Sequence, residues 1–153
     1  MTRAPGIAEI HTAADRIRGF VRRTPLLSAA PARENAGLAG GLLLKLECLQ
    51  ATGSFKARGA INAVFGLPAG RLRQGIVTAS GGNHGLAVAY AGWAAGTMAT
   101  IFLPSSVAAQ KVRKLDCWGA RVVIAGELGR QQSGGPAACR GRELRLHSPL
   151  CRS

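Results

Sequence analysis

Two short stretches of this 153-residue sequence hold the residue types that could do chemistry. The first is Gln50-Ala51-Thr52-Gly53-Ser54-Phe55-Lys56-Ala57-Arg58-Gly59-Ala60, in which Ser54 is a good helix N-cap and would set Lys56 in the first helical turn. A helix N-terminus carries about half a positive charge and disfavours a second cation, so an amine held there sheds its proton more readily. A neutral lysine amine is what an imine-forming nucleophile requires. A solvated lysine that happens to follow a cap is the plain alternative. The second stretch, Thr78-Ala79-Ser80-Gly81-Gly82-Asn83-His84-Gly85, falls between a predicted strand and a predicted helix. Backbone amides in such a turn suit a carboxylate or phosphate, and Ser80, Asn83 and His84 add side-chain donors. An ordinary glycine-rich turn is again the alternative. The chain contains neither a Walker loop nor a Gly-x-Gly-x-x-Gly dinucleotide fingerprint.

The elements that must position these loops follow from hydrophobic spacing. Ile7, Ile10, Ala14, Ile17 and Val21 recur at helical intervals, predicting an amphipathic helix closed by Thr24-Pro25, with Glu9, Arg16 and Arg23 on its polar face. A short helix is expected over 32–36, and Leu42-Leu43-Leu44-Lys45-Leu46-Glu47 reads as a strand buried on at least one face. Beyond it come a helix at 54–65, a strand at 76–79, a helix at 84–95, a strand at 99–103, a helix at 107–117 and a strand at 121–124. This β-α-β-α-β-α-β order, with crossovers of this length, predicts an α/β fold: a parallel sheet flanked by helices. Ligands of such sheets sit at the carboxyl ends of the strands, where both loops are expected.

Composition bounds the function classes. A 47% hydrophobic content with 21 glycines fits one globular domain and excludes a disordered chain. The uncharged stretch over 86–103 is interrupted by Gly92, Gly96 and Thr97, so a buried helix followed by a buried strand is expected there and no membrane span. The four cysteines form no CxxC pair and are expected to be reduced and mostly packed; His147 and Cys151 lack the further partners a metal site needs. No metal is expected. The N-terminus has no apolar signal region, which makes the cytoplasm the default location. A net charge of +13 raises nucleic-acid binding, but the basic residues form no stripe and no aromatics interleave with them, so no nucleic-acid partner is expected. After Glu127 periodicity disappears, and 128–153 reads as an unpatterned basic tail with five arginines and one acidic residue.

Taken together, Arg23-Thr24-Pro25-Leu26, Leu44-Lys45-Leu46-Glu47, Thr52-Gly53-Ser54-Phe55-Lys56-Ala57-Arg58-Gly59-Ala60 and Ser80-Gly81-Gly82-Asn83-His84-Gly85 resemble the threonine/serine dehydratase family of fold type II pyridoxal-phosphate enzymes. The resemblance runs through Ala99-Thr100-Ile101-Phe102-Leu103-Pro104, Lys111 and Gly119-Ala120-Arg121-Val122-Val123, thus over about 7–127. It implies part of the tryptophan synthase β-like fold, with residues 1–127 as the N-terminal part of such an enzyme. It also implies pyridoxal 5'-phosphate as cofactor, and an ammonia-lyase converting a β-hydroxy amino acid to a 2-oxo acid and ammonia. By position, Lys56 would be the Schiff-base lysine that also removes the substrate Cα proton. Phe55 would lie against the cofactor and Asn83 would bond its ring hydroxyl. Ser80, Gly81, Asn83 and His84 would form the loop that receives the substrate carboxylate. In the related serine racemases a second serine commonly stands in the place of Gly81, so glycine here favours elimination over racemisation.

The sequence also departs from that pattern. Family members are roughly twice as long, and no tetraglycine-like phosphate cradle follows residue 127; Gly134-Gly135 is too short. A truncated chain with an aberrant C-terminus is therefore expected, impaired in activity and with apolar surface left open to self-association. A homo-oligomer is compatible with the resemblance. A non-catalytic fragment, or another fold type II enzyme such as a sulfhydrylase or threonine synthase, are the alternatives.

Overall fold

The computed structural model describes residues 3–29, 42–125 and 142–143. Helix α1 (Ile7–Ile17) opens at Gly6, whose N–H donates to Glu9 Oε2 at 2.7 Å; the carboxylate thus satisfies an orphan amide and faces the positive helix end. It stops at Ile17, well before Thr24-Pro25, because Gly19 turns the chain with φ +87°. Only the end of its apolar stripe packs: Ile17, with Phe20 and Val21 beyond it, lies against the core, while Ile7 is 70% exposed.

Strands β1 (Leu26–Ser28) and β2 (Leu43–Lys45) pair antiparallel as a separate ribbon, with Leu27 opposite Leu44. This corrects the expected order. The segment 42–47 is a strand over only part of its length, stands outside the parallel sheet, and has all of β2 exposed. Its partner was missed because three residues after a proline are too few to display a period of two. The helix expected at 32–36 lies outside the described residues.

The rest follows the sequence reading, with the 3-10 turn and helix α3 as additions to it. A 3-10 turn (Glu47–Leu49) leads to α2 (Lys56–Phe65) and the short α3 (Ala69–Leu72), then β3 (Ile76–Ala79), α4 (Asn83–Ala94), β4 (Ala99–Pro104), α5 (Ala109–Asp116) and β5 (Arg121–Ala125). Strands β3, β4 and β5 are parallel neighbours, with Ile76 beside Ala99 and Thr100 beside Arg121. A two-residue strand, β6 (Arg142–Glu143), runs antiparallel on β5. It is the described element of the segment that the sequence presents as an unpatterned tail.

Helix α4 is the centre of the domain. It packs on β3 and β4 on one side and on α2 on the other, and α1 packs on α2 in turn. A helix enclosed on several sides has no use for a polar face, which is why Ala87, Val88, Ala89, Tyr90 and Ala91 are all buried. Gly92 permits the close approach to the sheet: a Cβ there would stand 2.9 Å from Ala99 Cβ. The uncharged stretch at 86–103 divides between α4 and β4, and no helix among the described residues is long and apolar enough to cross a membrane. Ile61, Ile101 and Leu103 are fully buried at the junction of α2, α4 and β4. Cys48 and Cys117 are exposed, which for these two corrects the expectation of packed thiols: one sits on the surface 3-10 turn and the other caps the end of α5, while Cys139 and Cys151 lie outside the described residues.

Candidate active site

The loop ahead of α2 is a succession of tight turns. Gly53, at φ +74°, donates its N–H to Gln50 O at 2.8 Å. Ala57 N–H then reaches back to Ser54 O at 3.5 Å and Arg58 N–H to Phe55 O at 3.1 Å, both three-residue spans. This tight start shifts the cap: Phe55, not Ser54, is the N-cap residue, and no side chain caps the helix. Ser54 Oγ and Thr52 Oγ1 are buried without a hydrogen-bond partner among the described residues. Lys56 is nonetheless in the first turn of α2, as the sequence predicts, and is its first residue because the helix begins two positions later than expected.

The Lys56 side chain is exposed, and its Nζ lies 5.1 Å from the centroid of the Phe55 ring. That ring is itself 58% exposed, so amine and aromatic face are open together. No hydrogen bond or ion pair joins Lys56 to another described residue, in contrast to its neighbour Arg58.

The second loop leaves the carboxyl end of β3. Ser80 Oγ accepts the N–H of Gly82, the extended N-cap residue of α4, at 3.3 Å. Asn83 and His84 open the helix with exposed side chains, and Gly81 rests half-buried against Leu103 and Val107. A cavity of about 380 Å³ is lined by Ala51 and Thr52 of the first loop and Leu86 of α4, together with Lys114, Cys117 and Trp118; neither Lys56 nor any residue of the loop at 80–85 lines it. Among the described residues no hydrogen bond or ion pair links Lys56 to Ser80, Asn83 or His84.

What the sequence did not reveal is a polar network directly beneath α2. Arg58 Nε donates to Glu47 Oε2 at 2.8 Å and its Nη2 to Glu47 Oε1 at 2.7 Å. Thr24 Oγ1 donates to the same carboxylate at 2.5 Å, and Arg58 Nη2 also reaches Arg22 O at 3.1 Å. The Gln50 side chain, 2% exposed, brackets that peptide: it accepts Arg22 N–H at 2.7 Å and donates to Arg22 O at 3.0 Å. The Arg58 hydrogen bonds hold the Glu47 carboxyl at about 2, below its ordinary 4.5, against the opposing effect of burial and with help from Thr24 and Lys45.

Fold and loops together define an α/β domain with an accessible lysine at the head of one helix and a glycine-rich loop at the end of a parallel strand. The chain belongs to the pyridoxal-phosphate dependent enzyme family, which matches residues 17–146. It is 41% identical over 117 residues to an L-threonine ammonia-lyase of Geobacter sulfurreducens, covering 76% of this chain and 29% of that protein. It is 38% identical over 120 residues to a serine racemase of Arabidopsis thaliana, covering 78% and 35%. Among solved structures, maize serine racemase superposes with a TM-score of 0.70 at 35% identity, covering 81% of this chain and 37% of that one. The chain thus spans about a third of the length of these relatives.

The residues present suit the family's cofactor. An amine bonded to no other described residue can condense with an aldehyde, the open Phe55 face can stack on a pyridine ring, and the Asn83 amide can donate to a ring hydroxyl. The loop at 80–85, with α4 behind it, is suited to an anionic group.

Proposed function

We propose that this chain carries the lysine-bearing part of an ammonia-lyase acting on a β-hydroxy amino acid, with residues 1–127 as that part. The observation that carries the reading is the Lys56 amine: first residue of α2, exposed, bonded to no other described side chain and set beside an open aromatic ring. The likeness to an L-threonine ammonia-lyase supports the reaction class.

In this reading Lys56 would hold the cofactor by its aldehyde carbon and, once the substrate amine has taken its place there, would take the proton from the substrate Cα. Bound pyridoxal phosphate supplies an electron sink for the pair left on Cα. Phe55 would orient the ring by lying against it, and Asn83 would donate to the ring hydroxyl. Ser80, Gly81, Asn83 and His84 receive the substrate carboxylate at the N-terminus of α4, where the helix end favours an anion. Loss of the Cα proton and the β-hydroxyl removes one water; tautomerisation and addition of one water then give a 2-oxo acid and ammonia.

Racemisation is the second reading, favoured by the likeness to serine racemases. It needs a proton donor on the face opposite Lys56, and Gly81 offers no side chain for that role.

The test is to add pyridoxal phosphate to the purified chain, reduce with borohydride and locate the label by peptide mass spectrometry. Label confined to Lys56 supports the reading and opens the way to assays with threonine and serine. Label spread over Lys45, Lys111 and Lys114, or none at all, defeats it for this chain.

A further inference from the structure

Helix α2 begins without the device that usually starts a helix. Phe55 has no side-chain acceptor, and the Ser54 hydroxyl that could have capped it has no partner among the described residues. Its first turn instead contains Lys56 and Arg58, two cations at the helix end least suited to them, and no acidic residue. Such a turn needs an anchor from elsewhere in the chain. The structure supplies one in Glu47, eleven positions before Arg58, which takes the guanidinium in two parallel hydrogen bonds of 2.7 and 2.8 Å.

We propose that Glu47 and Arg58 form a positioning pair that fixes the rotation of the first turn of α2, and so directs Lys56 outward, in place of an N-cap. This rests on the reading of Lys56 given above.

The geometry supports it in two ways. Residues two apart on a helix point about 200° away from each other, so holding Arg58 on the inner side turns Lys56 to the outer side. The burial agrees: the Arg58 side chain is 31% exposed and that of Glu47 18%, whereas Lys56 is exposed with its amine hydrogen-bonded to no described residue. Glu47 is not a loose partner either. It starts the 3-10 turn, accepts from Thr24, and shares the Arg22 carbonyl region with Gln50 through Arg58. The first turn of α2 is thereby tied to two separate stretches of chain, 22–24 and 47–50. A single cap hydrogen bond would satisfy one amide and leave the helix free to pivot; a bidentate pair between planar groups resists rotation.

Residue-resolved amide hydrogen exchange on the 153-residue chain and its Glu47→Ala, Glu47→Gln and Arg58→Lys variants tests this directly. Exchange at 57–60 is expected to rise about tenfold in Glu47→Ala and less in the other two, while amides of the buried part of α4 keep their rates. Borohydride trapping of pyridoxal phosphate at Lys56 should fall in the same rank order, with the conservative variants partly retaining it. If Glu47→Ala does not fold, Glu47→Gln and Arg58→Lys carry the comparison. An equal rise throughout α2 and α4 would mean that the pair serves only global stability, and unchanged rates at 57–60 would mean that it anchors nothing; either result overturns the proposal. Absence of label in the parent chain would instead count against the lysine reading, with the exchange result still deciding whether the pair sets the turn.

Discussion

Gly85 lies so close to Ser80 that a Cβ built on it would stand 2.0 Å from the Ser80 carbonyl oxygen. The obstructing atom is backbone, so it cannot move aside as a flexible side chain would. The close contact also shapes the loop, since Ser80 is where the chain leaves β3 and Gly85 is already inside α4. Gly85→Ala must therefore open the loop at 80–84 or displace α4 from the sheet. A loss of about 2 to 3 kcal/mol is expected, in the upper range for overpacking. Denaturant unfolding of the two chains measures it, and a loss below about 0.5 kcal/mol, the range of surface substitutions, would show the loop to be compliant.

The Glu47 carboxyl makes a prediction about acid. Its folded value of about 2 lies below the unfolded 4.5, so the stabilisation it provides is complete above about 4.5 and is lost as the pH falls toward 2. Allowing for partial solvent exposure of the pair, this is on the order of 2 kcal/mol. Unfolding measured at pH 6 and pH 3 should show a smaller acid loss in Glu47→Gln than in the parent. Equal losses in the two chains would assign the acid sensitivity to other carboxylates.

How far these features could be read in advance depended on the range of the interactions behind them. Elements β3, α4, β4, α5 and β5 were legible to within a residue or two because each carries its own signal: an apolar run, an uncharged alanine-rich helix, a glycine where the chain turns. The loop at 80–85 was legible for the same reason. The cap of α2 was not, because Ser54 looks like a cap locally and loses that role only when the chain enters the helix through three-residue turns. The Glu47–Arg58 pair and the Gln50 bracket on Arg22 join residues 11 and 28 positions apart, a separation at which neither period nor local propensity says anything. The ribbon was half legible: β2 announces itself with three leucines in a row from Leu42, but its exposure depends on what covers it.

That exposure has a consequence in solution. Leu27 and Leu44 face each other on one side of the ribbon and are 54% and 42% exposed, while Leu26 and Leu43, on its other side, are 63% and 62% exposed. Apolar side chains left open on both faces of a two-stranded ribbon favour association. The chain is expected to self-associate with rising concentration in sedimentation velocity. The Leu27→Lys/Leu44→Glu variant, which replaces a cross-strand apolar pair by an opposite-charge pair, should reduce association while keeping the ribbon. A parent chain that stays monomeric across the concentration range would refute this.

The choice between elimination and racemisation can be put to Gly81. A Cβ added there would meet Leu103 Cδ2 at 3.4 Å and Val107 Cγ2 at 3.7 Å, ordinary contacts that a serine satisfies without moving backbone. Gly81→Ser should therefore leave stability within about 1 kcal/mol of the parent, unlike Gly85→Ala four positions on. It also introduces a hydroxyl into the loop proposed to receive the substrate carboxylate, at a position where the parent has no side chain. In protein loaded with pyridoxal phosphate and supplied with L-serine in D2O, the variant should form α-deuterated D-serine relative to 2-oxo acid about a hundredfold more than the parent, the lower end of what a positioned acid–base group contributes. An unchanged ratio in a stably folded variant would mean that the face opposite Lys56 is not the face Gly81 occupies, and the assignment of this loop to the substrate would have to be withdrawn.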